Sequence, residues 1–446
     1  MPKDPLWDEI DAVVRNQFGL DPKSDVINFE RIRRAPDPER YDRMRASFEA
    51  ALATAPNRDE ILKRSYVGET FAIHLQSVFP RSDIEWIHPS LAVHYPVCTA
   101  EEIRRIQRPE TAEDHLLVRR ADAIADSSRL KKVFLSRREK NKEKWSLTAH
   151  FDCDDFRQYM KVLPPAKRAT CRKVPAGMAF LREANGSCMR ADGKDFIVIS
   201  ESLRHYFYYM NAFLFGEKTL DVNDRLAVLT IAVRTMLLTE SLDFDLDPRG
   251  TLPEKIDRHV SNLVEDQIQF VIGHEYAHLL LGHLNKKALG APPLGVIPHD
   301  IQERFKYYTP KQEQELAADA GALLDPQLSQ VEIAERLYAA MWFFLGLEIL
   351  YAIVGHVDPA LRPAKTHPPP TERLWALRQK VLAAHNLDPE MAYSDEEVER
   401  AIAWVDDQKK QLLKDFIPKN LDTFKFYGAV YVPSYRGPVK HDRIDY

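Results

Sequence analysis

Residues 260–283 read VSNLVEDQIQFVIGHEYAHLLLGH. Apolar side chains recur nearly all round the 3.6-residue helical repeat, which predicts a helix in the middle of a core rather than on a surface. Within it lies His274-Glu275-Tyr276-Ala277-His278, an HExxH pattern. Positions i and i+4 share one helix face, so both imidazoles can grip a single metal ion. Glu275 is turned about 100° from His274, beside the metal rather than on it, where a carboxylate can take a proton from water. Burying two histidines and a glutamate in an apolar helix is unfavourable unless they have partners. The competing reading is a pair of core histidines satisfied by ordinary hydrogen bonds.

A catalytic zinc site needs a third protein ligand and an open fourth position. His283 is nearest, in Gly282-His283. The metzincin spacing fails, because glycine and histidine follow His274 by eight and nine residues instead of seven and ten. On a continuing helix His283 would also point about 180° from His274. It therefore reads as a helix-end or structural histidine. A better candidate is Glu315-Leu-Ala-Ala-Asp319, again an i, i+4 pair, flanked by Ala317, Ala318, Ala320 and Ala322. Small side chains let such a helix pack close to another. A glutamate can complete a His₂Glu site, and an acid one turn on can accept the free N–H of a ligand histidine. The same residues equally suit an amphipathic surface helix, and Glu303 and Glu313 compete for the ligand role.

HEYAH, then ELAAD, then THPPPTER (366–373) follow in that order. This set resembles the gluzincin metallopeptidases of the HtpX and CAAX-prenyl-protease type. Those show HExxH, a downstream ExxAD, and a His-Pro-Pro segment with an arginine six residues after its histidine. Gly282-His283 and the strand-then-helix run Phe196–Phe207 are similar too. The resemblance covers Asp195 to Lys380. It implies a zincin-like domain, α+β and mainly α, with a small sheet and an HExxH core helix. It also implies one zinc ion per chain on His274, His278 and Glu315, with Asp319 orienting a ligand histidine. His367 would face the cleft and Arg373 would brace the site. In layout alone, the chain also has a looser likeness to the phage-exclusion peptidase Lit.

Those gluzincin families are largely membrane-embedded, so Leu337–Val357 (LYAAMWFFLGLEILYAIVGHV) matters. It is nearly long enough to span a bilayer, but Glu348 sits in its middle. If it crossed, Glu315 and His367 would lie on opposite sides and could not share a site. The expectation is a buried core helix with no membrane span.

Outward from this centre the chain has 446 residues, 45% apolar and 29% charged, which argues against wholesale disorder. A net charge of −5 argues against a general nucleic-acid binder. The basic run Arg137–Lys144 reads as a solvated face, with a nucleic-acid contact as the minority reading. Cys98, Cys153, Cys171 and Cys188 form no CxxC pair and are too few for a disulfide scaffold; reduced thiols and a cytoplasmic location follow as expectations.

Residues 1–170 are expected to be a mostly helical N-terminal region, with helices at Trp7–Phe18, Tyr41–Leu52 and Glu60–Val78. Ile84–Cys98 reads as extended or irregular, and Thr99-Ala-Glu-Glu102 as a capping box. A boundary is expected near Pro164-Pro165, then a metallopeptidase domain over 171–390 and a C-terminal helix and extended tail over 391–446 that pack on it. Phe196–Ser200 follows Asp192-Gly193 as a strand, either interior or a sheet edge where an extended substrate adds.

The expected function is zinc-dependent peptide-bond hydrolysis of a protein or peptide, with Glu275 as general base and His367 as donor to the oxyanion. Tyr276 is the weaker alternative for that donor. The competing class is an inactive zinc-bearing scaffold or regulatory binding protein.

Overall fold

A computed structural model describes residues 6–55, 58–140, 145–152, 154–181, 186–283, 289–290, 306–308, 311–358 and 368–437. The architecture is α+β and mainly helical, with two small sheets. The chain forms two compact units: Met1–Arg108 with Phe134–Leu147, and Pro109–Val133 with Thr148–Tyr446. Residues 109–133 and 148–170, grouped with the N-terminal region on sequence, thus belong with the second unit.

The first unit carries an antiparallel sheet of β1 (Asp25–Arg33), β2 (Ser65–Val67) and β3 (Phe71–Pro80), ordered β1-β3-β2. The helix Leu6–Asn16 buries Ile10 and Val14 against Phe71 and Ile73 of this sheet. The expected helices at Trp7–Phe18 and Tyr41–Leu52 are present as Leu6–Asn16 and Pro38–Thr54. The one expected over Glu60–Val78 is not. Phe71, Ile73, Leu75, Ser77 and Phe79 face inward while His74, Gln76 and Val78 do not, which is the two-residue period of a strand. Phe71-Ile73-Leu75 and Phe71-Leu75 satisfy both periods, and pairing with β1 decides between them.

The irregular stretch contains only the short turns Arg81–Ile84 and Pro89–His94, and the Thr99–Glu102 capping box forms. Of the basic run, residues 141–144 lie outside the described ones. Arg138 donates to the Pro96 carbonyl, and Arg137 lies 5.0 Å over the Phe134 ring.

The second unit's sheet comprises β4 (Ala176–Ala179), β5 (Gly186–Ala191), β6 (Lys194–Ser200), β7 (Leu289–Gly290) and β8 (Lys306–Tyr308), ordered β4-β6-β5-β8-β7. Asp192 and Gly193 both take left-handed backbone and close the β5–β6 hairpin, the two-residue turn their sequence favours. Phe196–Ser200 lies within β6, with β4 on one side and β5 on the other. It is therefore an interior strand, not an edge open to substrate.

The helix Glu254–Leu280 lies at the centre of this unit. It packs against Glu201–Phe215, Gln312–Leu324 and Gln330–Val357. Gln330–Val357 is long and apolar enough to cross a membrane; here it lies in the core with Phe344, Leu345, Ile349 and Leu350 buried. Its Glu348 accepts hydrogen bonds from Thr371 N, Thr371 Oγ1 and Lys409 Nζ, so the acid caps the helix Pro370–His385. The helix Asp395–Gln411 starts on the expected capping box at Ser394 and packs on Gln330–Val357. The segment beyond it returns to bridge Glu240 through Gly428.

Candidate metal centre

Three elements build the centre. The helix Glu254–Leu280 presents His274 and His278 one turn apart, and Gln312–Leu324 presents Glu315 and Asp319 one turn apart. Pro370–His385 adds Arg373. The first two helices approach closely because glycines and alanines face each other. A Cβ on Gly321 would lie 2.7 Å from the Ala277 Cβ, and one on Gly273 would lie 3.0 Å from the Ala322 Cα. The alanine-rich character of the second helix is therefore what lets a buried carboxylate reach the imidazole pair.

His274, His278 and Glu315 can hold a metal ion: one ligand atom from each lies within 4.8 Å of the others. The two Nε2 atoms are 3.1 Å apart. Glu315 Oε2 is 3.5 Å from His274 Nε2, and Oε1 is 3.5 Å from His278 Nε2. A tetrahedron with metal–ligand bonds of about 2.0–2.1 Å has edges of about 3.3 Å, so these spacings suit one small ion.

The ring orientations fit as well. His274 Nδ1 donates to Asp319 Oδ1 at 2.9 Å, and His278 Nδ1 meets His283 Nδ1 at 3.0 Å. With each Nδ1 engaged elsewhere, both Nε2 atoms face the carboxylate. The glutamate is buried at 2% exposure and His278 at 4%.

Asp319 has 0% exposure, yet it is held by three hydrogen bonds. Arg373 Nε donates to Oδ2 at 2.8 Å and Nη2 to Oδ1 at 2.7 Å, beside the His274 bond. Burial opposes the Asp319 anion, but Arg373 and His274 outweigh it and hold its carboxyl below the usual range. The same guanidinium reaches Glu315 Oε2 at 3.5 Å, so one arginine balances both acids. Burial also opposes the charged form of His274, but its bonds to Asp319 and Glu315 prevail and take it up to about 10. For His278, burial prevails and, with His274 nearby, holds it below the ordinary histidine value despite Glu315.

Glu275 sits apart from this group and beneath the sheet. Burial pushes its carboxyl up to about 7; nearby His274 opposes the rise, Glu315 adds to it, and the Cys188 backbone amide hydrogen-bonds the anion. β5 can pass this close because Gly186 has no side chain: a Cβ there would lie 2.8 Å from Val271 Cγ1 and 3.5 Å from Glu275 Oε1.

Of the residues expected on sequence, the structure brings His274, His278, Glu315, Asp319 and Arg373 together, with Glu275 adjoining. His367 lies outside the described residues, as does the competing Glu303. Tyr276 stacks on Tyr159, with ring centroids 5.9 Å apart and planes 10° from parallel, and lines a cavity with Phe156 and Cys171. Its hydroxyl does not belong to the ligand group. Two contributors escaped the sequence reading. Gly186 and the Cys188 amide left no signal beyond an isolated glycine before an apolar pair. His283, expected as a helix-end or structural histidine, stands just past the helix end at Leu280, beyond the left-handed Gly282. Among the described cysteines, Cys98, Cys171 and Cys188 are buried. No family model, no curated protein and no solved structure matches this chain.

Proposed function

We propose that the protein is a zinc-dependent endopeptidase of the gluzincin type, with a zincin-like second unit, acting in the cytoplasm on a protein or peptide. One observation carries this reading: the Nε2 atoms of His274 and His278 converge with the Glu315 carboxylate while both Nδ1 atoms are engaged elsewhere. Two imidazoles and one carboxylate are a donor set suited to zinc and leave a fourth position open. Bound there, zinc supplies Lewis acidity, which polarises a carbonyl and makes water acidic near neutral pH.

The chain's own residues do the rest. Glu275, raised toward neutrality by burial, takes a proton from water on its carboxylate and passes it to the leaving amine. The Cys188 amide holds that carboxylate in place. Asp319 fixes the ring of His274, and Arg373 keeps Asp319 charged despite burial while reaching Glu315 Oε2 at 3.5 Å. His367 is the proposed donor to the oxyanion, taken from the His-Pro-Pro motif. A purely structural zinc site favours four protein ligands and has no use for a buried, near-neutral glutamate beside it, which disfavours the scaffold reading.

Glu275→Gln separates the two readings. The variant should keep one equivalent of zinc and lose hydrolysis by about a hundred- to ten-thousand-fold. New protein termini, mapped proteome-wide after expressing wild type beside the variant, should appear only with wild type. Identical profiles would remove the protease reading.

A further inference from the structure

We propose that His283 is a positioning residue of the metal centre: it accepts a hydrogen bond from His278 Nδ1 and so fixes that ring with its Nε2 lone pair toward Glu315 and His274. This rests on the metal-site reading above and adds a residue to it. Were the helix to continue, five residues at 100° each would set His283 about 140° round the axis from His278, out of reach. The helix instead ends at Leu280. Gly282 adopts φ +69°, a left-handed conformation that a glycine takes without strain. The His283 N–H then donates to the His278 carbonyl at 2.9 Å, the six-residue closure of a Schellman turn. That turn folds the chain back over the helix end and sets the two rings 5.2 Å apart, at 62° to one another.

Two imidazole Nδ1 atoms 3.0 Å apart require one donor and one acceptor. If His283 were the donor, the His278 proton would sit on Nε2, facing His274 Nε2 at 3.1 Å and Glu315 at 3.5 Å, and the ring could not ligate. The ligating arrangement has His278 as donor and His283 protonated on Nε2. Each ligand imidazole then has its own acceptor. That of His274 is a carboxylate, which needs Arg373 to balance its charge. That of His278 is a neutral ring, which needs no counter-ion in this already acidic cluster.

The test uses the full-length chain, with zinc affinity read by competition against a chromophoric chelator and ligand geometry read from the visible absorption of the cobalt-substituted protein. His283→Leu fills the space without an acceptor. His283→Gln restores an acceptor oxygen and also serves if the leucine variant fails to fold. Zinc binding should weaken about 10–100-fold in His283→Leu with an altered cobalt spectrum, and His283→Gln should recover most of both. Wild-type affinity and an unchanged spectrum in His283→Leu would overturn the assignment, as would a glutamine variant no better than leucine. Wild-type protein that takes up no stoichiometric zinc would instead sink the metal reading beneath it.

Discussion

Asp319 shows how a buried residue outside the candidate ligand set can still support it. Its carboxylate is fully buried, and it stays anionic because Arg373 and His274 supply three hydrogen bonds. Two consequences separate cleanly. Asp319→Ala removes the acceptor that fixes the His274 tautomer, so zinc affinity should fall about 10–100-fold. It also leaves Arg373 buried without its main partner, so unfolding free energy should drop by about 3–5 kcal/mol. Denaturant titration and chelator competition measure these separately. Arg373→Met combined with Asp319→Ala should regain part of the stability and none of the affinity, because only the uncompensated charge is relieved. The pairing was legible as an acid one turn beyond a candidate ligand. The arginine came only through the family resemblance, since nothing in local spacing links residue 373 to 319.

At the scale of elements, the centre depends on how near two helices come. Gly321 faces the Ala277 Cβ and Gly273 faces the Ala322 backbone, so the contact is made almost without side chains. Gly321→Val should force the helices apart, costing about 1–3 kcal/mol in overpacking, while overall helicity changes little. Displacing Glu315 should disturb the centre far more than the fold, so zinc stoichiometry should fall well before the far-ultraviolet circular dichroism does. Unchanged zinc content in this variant would show that Glu315 does not depend on that contact.

Residues 60–78 satisfy a helical period and a strand period at once, and it is β1, distant in sequence, that captures Phe71–Pro80. β6 was recognised as a strand from its β-branched run, but its interior place depends on β4 and β5, which left weak signals.

For the whole molecule, the proposed zinc site would link metal to fold, because its candidate ligands come from separate helices and are brought together only in the folded second unit. Zinc at a thousand times its Kd should stabilise that unit by about 4 kcal/mol. Calorimetry should show a melting temperature that rises with zinc and falls with chelator, while His278→Ala melts at one temperature under both conditions. A wild-type melting curve insensitive to zinc would contradict one-site binding to the native state. The apolar helix Gln330–Val357 belongs to the same scale. Its mid-helix Glu348 looks anomalous in sequence, yet it caps another helix through Thr371 and pairs with Lys409. That explanation requires three elements to be in place.

By itself, the sequence determined what the helical repeat enforces within one element: the shared face of His274 and His278, the offset of Glu275, the shared face of Glu315 and Asp319, the capping boxes and the Asp192-Gly193 hairpin. These are local, because backbone geometry fixes them over a few residues. Only the tertiary structure decided which acid meets the imidazole pair and which backbone amide holds Glu275. Those contacts depend on how closely glycine-lined helices pack and on how near β5 passes at Gly186, and neither is set by spacing along the chain.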